Sequence, residues 1–264
     1  MPKTVLRSSF TSSTLVRLLD EWTPAPAEPS GLDVAERLSL WVNAFDAIRL
    51  QAAQQAIAAL ATAPGRPVRA SRAQALGEDL RRLRAVMARA IAQEPGPVIE
   101  TAHTPADLRR LARAAAQPAE AAAADASYAR WRQRHFELQR QMDLTIPPLR
   151  EHVRNALAQG PARLRQLAAL DAVMEQVLAA REQKLLPTVV ERMERRFGEL
   201  RAAHLQSLQD SGQDDEPSAW RRPGGWLERF AGEWRQLLAA ELDLRLQPVT
   251  GLVEALAKEL NEQQ

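Results

Sequence analysis

An all-α fold is what this sequence predicts, and three observations predict it. Alanine and leucine, the two best helix formers, supply the bulk of a hydrophobic content of 45%, while tyrosine occurs once and β-branched residues are scarce. Apolar side chains recur every three or four residues rather than every second one. Proline and glycine punctuate the chain between those periodic stretches, as helix stops and starts do.

Taken in order, the first element follows capping hydroxyls at Ser12 or Ser13 and carries the stripe Leu15, Leu18, Leu19, Trp22. It stops in the run Pro24 to Gly31, which is too rich in proline to be helical. A second helix over about 32–62 places Leu38, Trp41, Phe45 and Ile48 on one face and ends at Pro64-Gly65. A third over about 71–93 repeats Leu76, Leu80, Leu83, Met87 and Ile91, the four-three spacing of helix-on-helix packing. Thr104 caps a shorter helix with Pro105 at its first position and Leu108 and Leu111 as its apolar pair.

Beyond Pro118 comes the most regular part of the chain. Tyr128, Trp131, His135, Leu138 and Met142 keep a heptad-like spacing, continued by Leu149, Val153 and Leu157, with a kink or break expected at Pro147-Pro148. Gly160-Pro161 is a stop followed by a start. The next stripe runs through Leu164, Leu167, Leu170, Met174, Val177, Leu186, Val190, Met193, Phe197, Leu200 and His204, with Pro187 expected to bend or interrupt it. Two such arms, about 57 to 72 Å long at 1.5 Å per residue, predict a long antiparallel helical hairpin that dimerises or presents a surface to a partner. An acidic linker over 210–219 reads as flexible. It leads to a tryptophan-rich module in which Trp220, Trp226, Phe230, Trp234, Leu237 and Leu238 lie on a helix that runs to Leu246, and Pro248 separates this from a last helix carrying Leu252, Val253, Leu256 and Leu260. The expected division is therefore an N-terminal helical domain (1–118), the hairpin (119–209), the linker (210–219) and a C-terminal helical module (220–264).

The absence of cysteine removes disulfides, thiolate metal sites, iron–sulfur clusters and cysteine nucleophiles, and fits a cytosol. No GxxxxGK[ST], GxGxxG or GxSxG appears, and His103, His135, His152 and His204 show no metal-ligand spacing, so no enzyme, cofactor or metal site is expected. Carboxylates mostly alternate with arginine, as in Glu191 to Arg196, which reads as a solvated ion-pair face. The N-terminal stretch lacks an unbroken apolar run, and no window nears the roughly 18 apolar residues of a spanning helix, so a cytoplasmic location is expected.

A net charge of +2 conceals an uneven distribution. Residues 61–127 carry +3 and 128–209 carry +5, whereas 210–264 carry −5. The acidic tail is complementary to the basic middle of its own chain or of a second copy, and the middle is suited to an anionic partner such as double-stranded DNA. Candidate phosphate-contacting residues are Arg66, Arg69, Arg72, Arg81, Arg82, Arg84, Arg109, Arg110, Arg113, Arg130, Arg132 and Arg134. Interspersed Glu78, Asp79, Asp107 and Glu137 also fit an ordinary solubilising surface. Trp131, His135, Trp220, Trp226 and Trp234 are candidate interface anchors or a packed cluster.

Three stretches, TSSTLVRLL at 11–19, AERLSLWVNAFDAIRL at 35–50 and EWRQLLAAELDLRLQPVTGLVEAL at 233–256, resemble a bacterial family of unknown biochemical function. That family looks like the F component of type III Zorya anti-phage defence systems. The resemblance implies a cytosolic accessory protein working with a membrane-embedded, proton-driven motor and a second accessory protein, and it carries over no catalytic residues. By analogy the chain binds DNA or links the motor to a partner that does, and the long hairpin predicts a homo-oligomer; a coiled-coil-like adaptor and a cryptic metal-dependent nuclease are the alternatives.

Overall fold

The computed structural model describes residues 13–22, 44–61, 66–96 and 125–262. Among them the chain is all-α, with helices α1 (Thr14–Glu21), α2 (Ala44–Ala59), α3 (Ala70–Ala92), α4 (Ala129–Leu157), α5 (Ala162–Ser211) and α6 (Trp226–Glu262), a 3-10 turn at Pro217–Ala219 before α6, and no strand. The helix capped by Thr104, residues 23–43 and His103 lie outside the described residues.

Two compact units group the chain, and neither is a continuous run. One comprises Met1–Trp22, Met87–Met142 and Pro187–Glu241, the other Thr23–Val86, Asp143–Leu186 and Leu242–Gln264. The sequential division read from the proline and glycine punctuation does not coincide with these groupings, because punctuation marks where helices end and not which helices pack together.

The first unit is built on aromatic rings. Tyr128 and Trp131 of α4 and its preceding turn meet Phe197 of α5 and Phe230 and Trp234 of α6, all 6% exposed or less. Trp131 and Phe230 stand edge to face at 5.0 Å and 89°, Phe197 and Phe230 at 4.9 Å and 87°, and Trp131 and Trp234 at 5.2 Å. Such pairs add stability beyond the area they bury. Tyr128 donates its hydroxyl to the Val190 carbonyl at 3.1 Å; burial, reinforced by Glu194, raises its pKa well above the ordinary phenol value. The short α1 is seated by buried Leu15, and Arg192 donates to the Leu19 carbonyl at 3.0 Å, meeting one of the acceptors a helix end leaves open.

In the second unit the core is aliphatic. Leu76 and Leu80 of α3, Ile146, Val153 and Leu157 of α4, Leu164, Ala168 and Val177 of α5, and Leu246, Val249, Leu252 and Leu256 of α6 are all buried. At the end of α2, Gln166 donates to the Ile57 carbonyl and Arg165 to the Leu60 carbonyl, both at 3.1 Å. Arg150 holds Asp171 with paired bonds of 2.8 and 2.6 Å, and Arg154 reaches the same carboxylate at 3.3 Å, so a fork-on-carboxylate contact joins α4 to α5 here.

Of the proline expectations, one is corrected. Pro248, expected to separate two helices, lies inside α6, while Pro147 and Pro148, where a kink or break was expected, lie inside α4, and Pro187, where a bend or interruption was expected, lies inside α5, so neither of those helices ends there. Each proline removes an N–H and leaves the carbonyl four residues earlier without its helical donor. Pro147, Pro148 and Pro187 are exposed, where water can serve as the substitute. Buried residues on both sides of each proline, such as Met142 and Val153 or Leu246 and Leu252, hold the helix in register. Tertiary packing therefore outweighs the local preference.

The linker expectation is corrected too. Asp215 Oδ1 accepts from the Trp220 indole at 2.6 Å and lies 3.0 Å from His204 Nε2, so the acidic stretch is tied at its middle. Burial alone would raise the Asp215 pKa, but the Trp220 bond, His204 and Arg201 hold it below the usual carboxylate value. The Trp220 carbonyl accepts from Leu227 and Glu228, both at 3.1 Å, and so caps α6. Gly224 takes φ +88°, and a Cβ on Gly225 would fall 2.3 Å from that carbonyl oxygen, so glycine is required at both positions.

Candidate nucleic-acid interface

Helix α3 orients the first group of arginines. Its inward stripe within the second unit is Ala73, Leu76 and Leu80, and its approach is pinned by Gln159: the Arg66 backbone N–H donates to the Gln159 carbonyl at 3.4 Å, and Arg72 donates to Gln159 Oε1 at 2.9 Å. With the stripe facing the core, helical periodicity turns Arg81 and Arg82 to solvent, where their side chains are 77% and 73% exposed, while Arg84, one turn beyond Leu80, is 48% exposed. Arg66 and Arg69 are exposed as well. Three of these guanidiniums stand beside carboxylates: Arg81 at 4.0 Å from Glu78, Arg82 at 3.4 Å from Asp79, and Arg84 at 3.5 Å from Asp243 of α6. Arg109, Arg110 and Arg113 lie outside the described residues.

The second group is placed differently. Arg130 is nearly buried, bonded to Asp125 at 2.6 Å with its guanidinium 5.5 Å from the Trp131 ring centre, and burial lowers its pKa. Arg134 donates to the Ala90 carbonyl at 2.9 Å and pairs with Glu137. Arg132 pairs with Glu194 and lies over the Tyr128 ring. Arg130 and Arg134 are spent on holding the first unit together and are removed from the phosphate-contacting set; Arg132 remains half exposed.

The proposed interface anchors also need correction. Trp131 and Trp234 are 1% and 0% exposed, Trp226 and Trp220 are 6% and 7%, and His135 is 0%, so their surface is used up inside the chain and not offered to a partner. Of the two readings of the tryptophans, the packed cluster is the one realised.

A buried polar cluster of the first unit was missed by sequence reasoning. Glu241 of α6 is fully buried, receives Gln139 Nε2 on both carboxylate oxygens at 3.1 and 3.2 Å, and has His135 Nε2 3.5 Å away at ion-pair distance but without hydrogen-bond alignment. His135 and Gln139 stand one helical turn apart on α4, which brings both to the same carboxylate. The one signal in the sequence was a histidine on an apolar stripe; nothing marked Glu241 as buried. Among the described residues no group of three or more His, Cys, Asp or Glu side chains is arranged to hold a metal ion, and no helix is long and apolar enough to cross a membrane.

The acidic tail does meet basic residues of the middle. Arg196 donates to both oxygens of Glu233 at 2.7 and 2.9 Å in the first unit, and Arg84–Asp243 and Arg163–Glu262 pair at 3.5 and 3.8 Å in the second. Because α6 also supplies core residues to both units, this tail is a structural element, and its removal would dismantle the fold.

A family model described as "Protein of unknown function (DUF3348)" matches residues 1–258. The chain belongs to that family. No curated protein and no solved structure matches it. Membership spans the α3 arginines and the Glu241 cluster alike and assigns a role to neither.

Proposed function

We propose that this chain is a non-enzymatic binding component that engages double-stranded DNA through the exposed arginines around α3, as a cytoplasmic accessory of a bacterial anti-phage system acting downstream of a membrane motor complex. The observation that carries the DNA-binding part is the charge of one short stretch: residues 66–84 hold six arginines against two carboxylates, and Arg66, Arg69, Arg81, Arg82 and Arg84 all face water. Guanidiniums in this setting suit phosphate oxygens, and the lack of any base-reading pattern fits sequence-independent contact. The defence setting is supported by the resemblance of the stretches at 11–19, 35–50 and 233–256.

The test is fluorescence anisotropy with a labelled 20-base-pair duplex at 50 and 200 mM salt, comparing the parent with R66Q/R69Q/R81Q/R82Q/R84Q. Each phosphate contact contributes about 0.9 to the slope of log affinity against log salt, so the parent should weaken steeply with salt and the variant should bind at least tenfold more weakly. Absence of binding at 50 mM salt refutes the reading. Motor-like membrane proteins encoded beside this gene would support the defence setting, and their absence would count against it.

A second reading, an adaptor that self-associates, is favoured by one observation. Leu170, Met174 and Leu178 form an i, i+4, i+8 ridge on α5 with 44%, 38% and 42% exposure, and the nearby charges Asp171 and Glu175 are engaged by Arg150 and Arg154. Light scattering after size exclusion decides it: a strict monomer at micromolar concentration removes this reading.

A further inference from the structure

The three carboxylates beside the α3 arginines point to the kind of anion the face accepts. Glu78 and Asp79 stand one turn from Arg81 and Arg82 on α3, and Asp243 reaches Arg84 from α6. All three contacts are loose, at 4.0, 3.4 and 3.5 Å, and open to solvent, with carboxylate exposures of 61%, 45% and 66%. None resembles the paired bonds of 2.6 to 2.9 Å that Arg150 makes with Asp171 or Arg196 with Glu233. Exposed pairs of this kind contribute little, so each guanidinium can be released by another anion.

We propose that Glu78, Asp79 and Asp243 act as displaceable stand-ins for phosphate, which makes this face selective for a polyanionic strand over any single phosphate group. The proposal rests on the DNA-binding reading and adds a rule for its ligand. A lone phosphate that displaces one carboxylate exchanges one weak surface pair for another and gains almost nothing. A duplex presents a row of phosphates, so once the first contact forms the remaining exchanges occur at high local concentration, and counterions leave the DNA. The released carboxylates take up cations, which offsets part of that release and flattens the salt dependence of the parent.

The experiment compares the parent with E78Q/D79N/D243N, whose three sites are exposed and outside the core, using the same labelled duplex at two salt concentrations. Competition is measured with inorganic phosphate against chloride of matched ionic strength. The neutralised variant should bind about tenfold more tightly, the effect of removing three surface pairs, with a steeper salt slope. Phosphate should displace the duplex from the parent no better than matched chloride does. Unchanged affinity and slope in the variant, with the parent still binding, overturns the stand-in proposal and leaves the DNA-binding reading intact. Displacement by phosphate beyond the ionic-strength effect overturns the selectivity. Failure of both proteins to bind overturns the DNA-binding reading itself.

Discussion

Replacing Glu241 with alanine removes the buried acceptor that faces Gln139 and His135 in the first unit. Gln139 loses contacts of 3.1 and 3.2 Å, and His135 loses the carboxylate 3.5 Å from its Nε2, in a site with no exposure to water. A hydrogen bond to a charged group contributes about 1.5–3 kcal/mol, and each buried polar group left without a partner costs about 1–3 kcal/mol more. Together these put the expected loss at about 3–5 kcal/mol. At about 2–4 °C per kcal/mol for a chain of this size, Tm should fall by about 6–20 °C. Urea unfolding followed by tryptophan fluorescence measures it directly, since four of the tryptophans are buried in this unit. Glu241→Gln, which keeps an acceptor oxygen, should lose clearly less than Glu241→Ala. The triple variant H135L/Q139L/E241L should recover part of the loss, because it removes Gln139 and His135 together with their carboxylate. A loss below about 1 kcal/mol for Glu241→Ala would refute the claim that this carboxylate organises the core.

Phe230→Ala, which empties the centre of the ring cluster, should cost about 3–5 kcal/mol in the same urea assay. Glu233 supplies an acid-sensitive increment. Burial alone would raise its pKa, but bonds and charge from Arg196, then Arg229, hold it below the ordinary carboxylate value. A depressed folded pKa adds stability above the unfolded value of about 4.3, and this is lost as pH falls through the folded one. The urea midpoint should therefore drop below about pH 4, and E233Q should show a smaller drop. Two glycines should respond with opposite signs. Gly225→Ala places a methyl 2.3 Å from the Trp220 carbonyl oxygen and should destabilise by at least about 1–3 kcal/mol, whereas Gly198→Ala, in α5 with nothing within 4 Å, should stabilise by about 0.5–1 kcal/mol.

Helical periodicity made much of the fold legible. Leu76, Leu80, Met87 and Ile91 on α3, and Tyr128, Trp131, His135, Leu138 and Met142 along the next stripe, are buried where the spacing put them. The same rule overreached at Leu170, Met174 and Ile48, which continue a stripe but stay exposed, because periodicity marks a face and not what covers it. Pro248 misled, and Pro147, Pro148 and Pro187 end no helix, for the reason already given: their cost is local and the packing that outweighs it is not. Of the candidate site, the α3 arginines were legible as a charge excess. That Arg130 and Arg134 belong to the interior was not, since Asp125 and the Ala90 carbonyl are contacts the fold creates. Glu241 had no local signature, because its partners lie 102 and 106 residues away in sequence.

One side chain bears on how this protein can vary. Arg221 donates to both oxygens of Asp125 at 2.8 Å and also pairs with Glu94. These two carboxylates flank residues 95–124, so the chain leaves and returns to a single guanidinium, much as it would to a cross-link. Replacing Arg221 should therefore release both carboxylates at once, whereas replacing Glu94 should release one, so of these two positions Arg221 is the less free to vary.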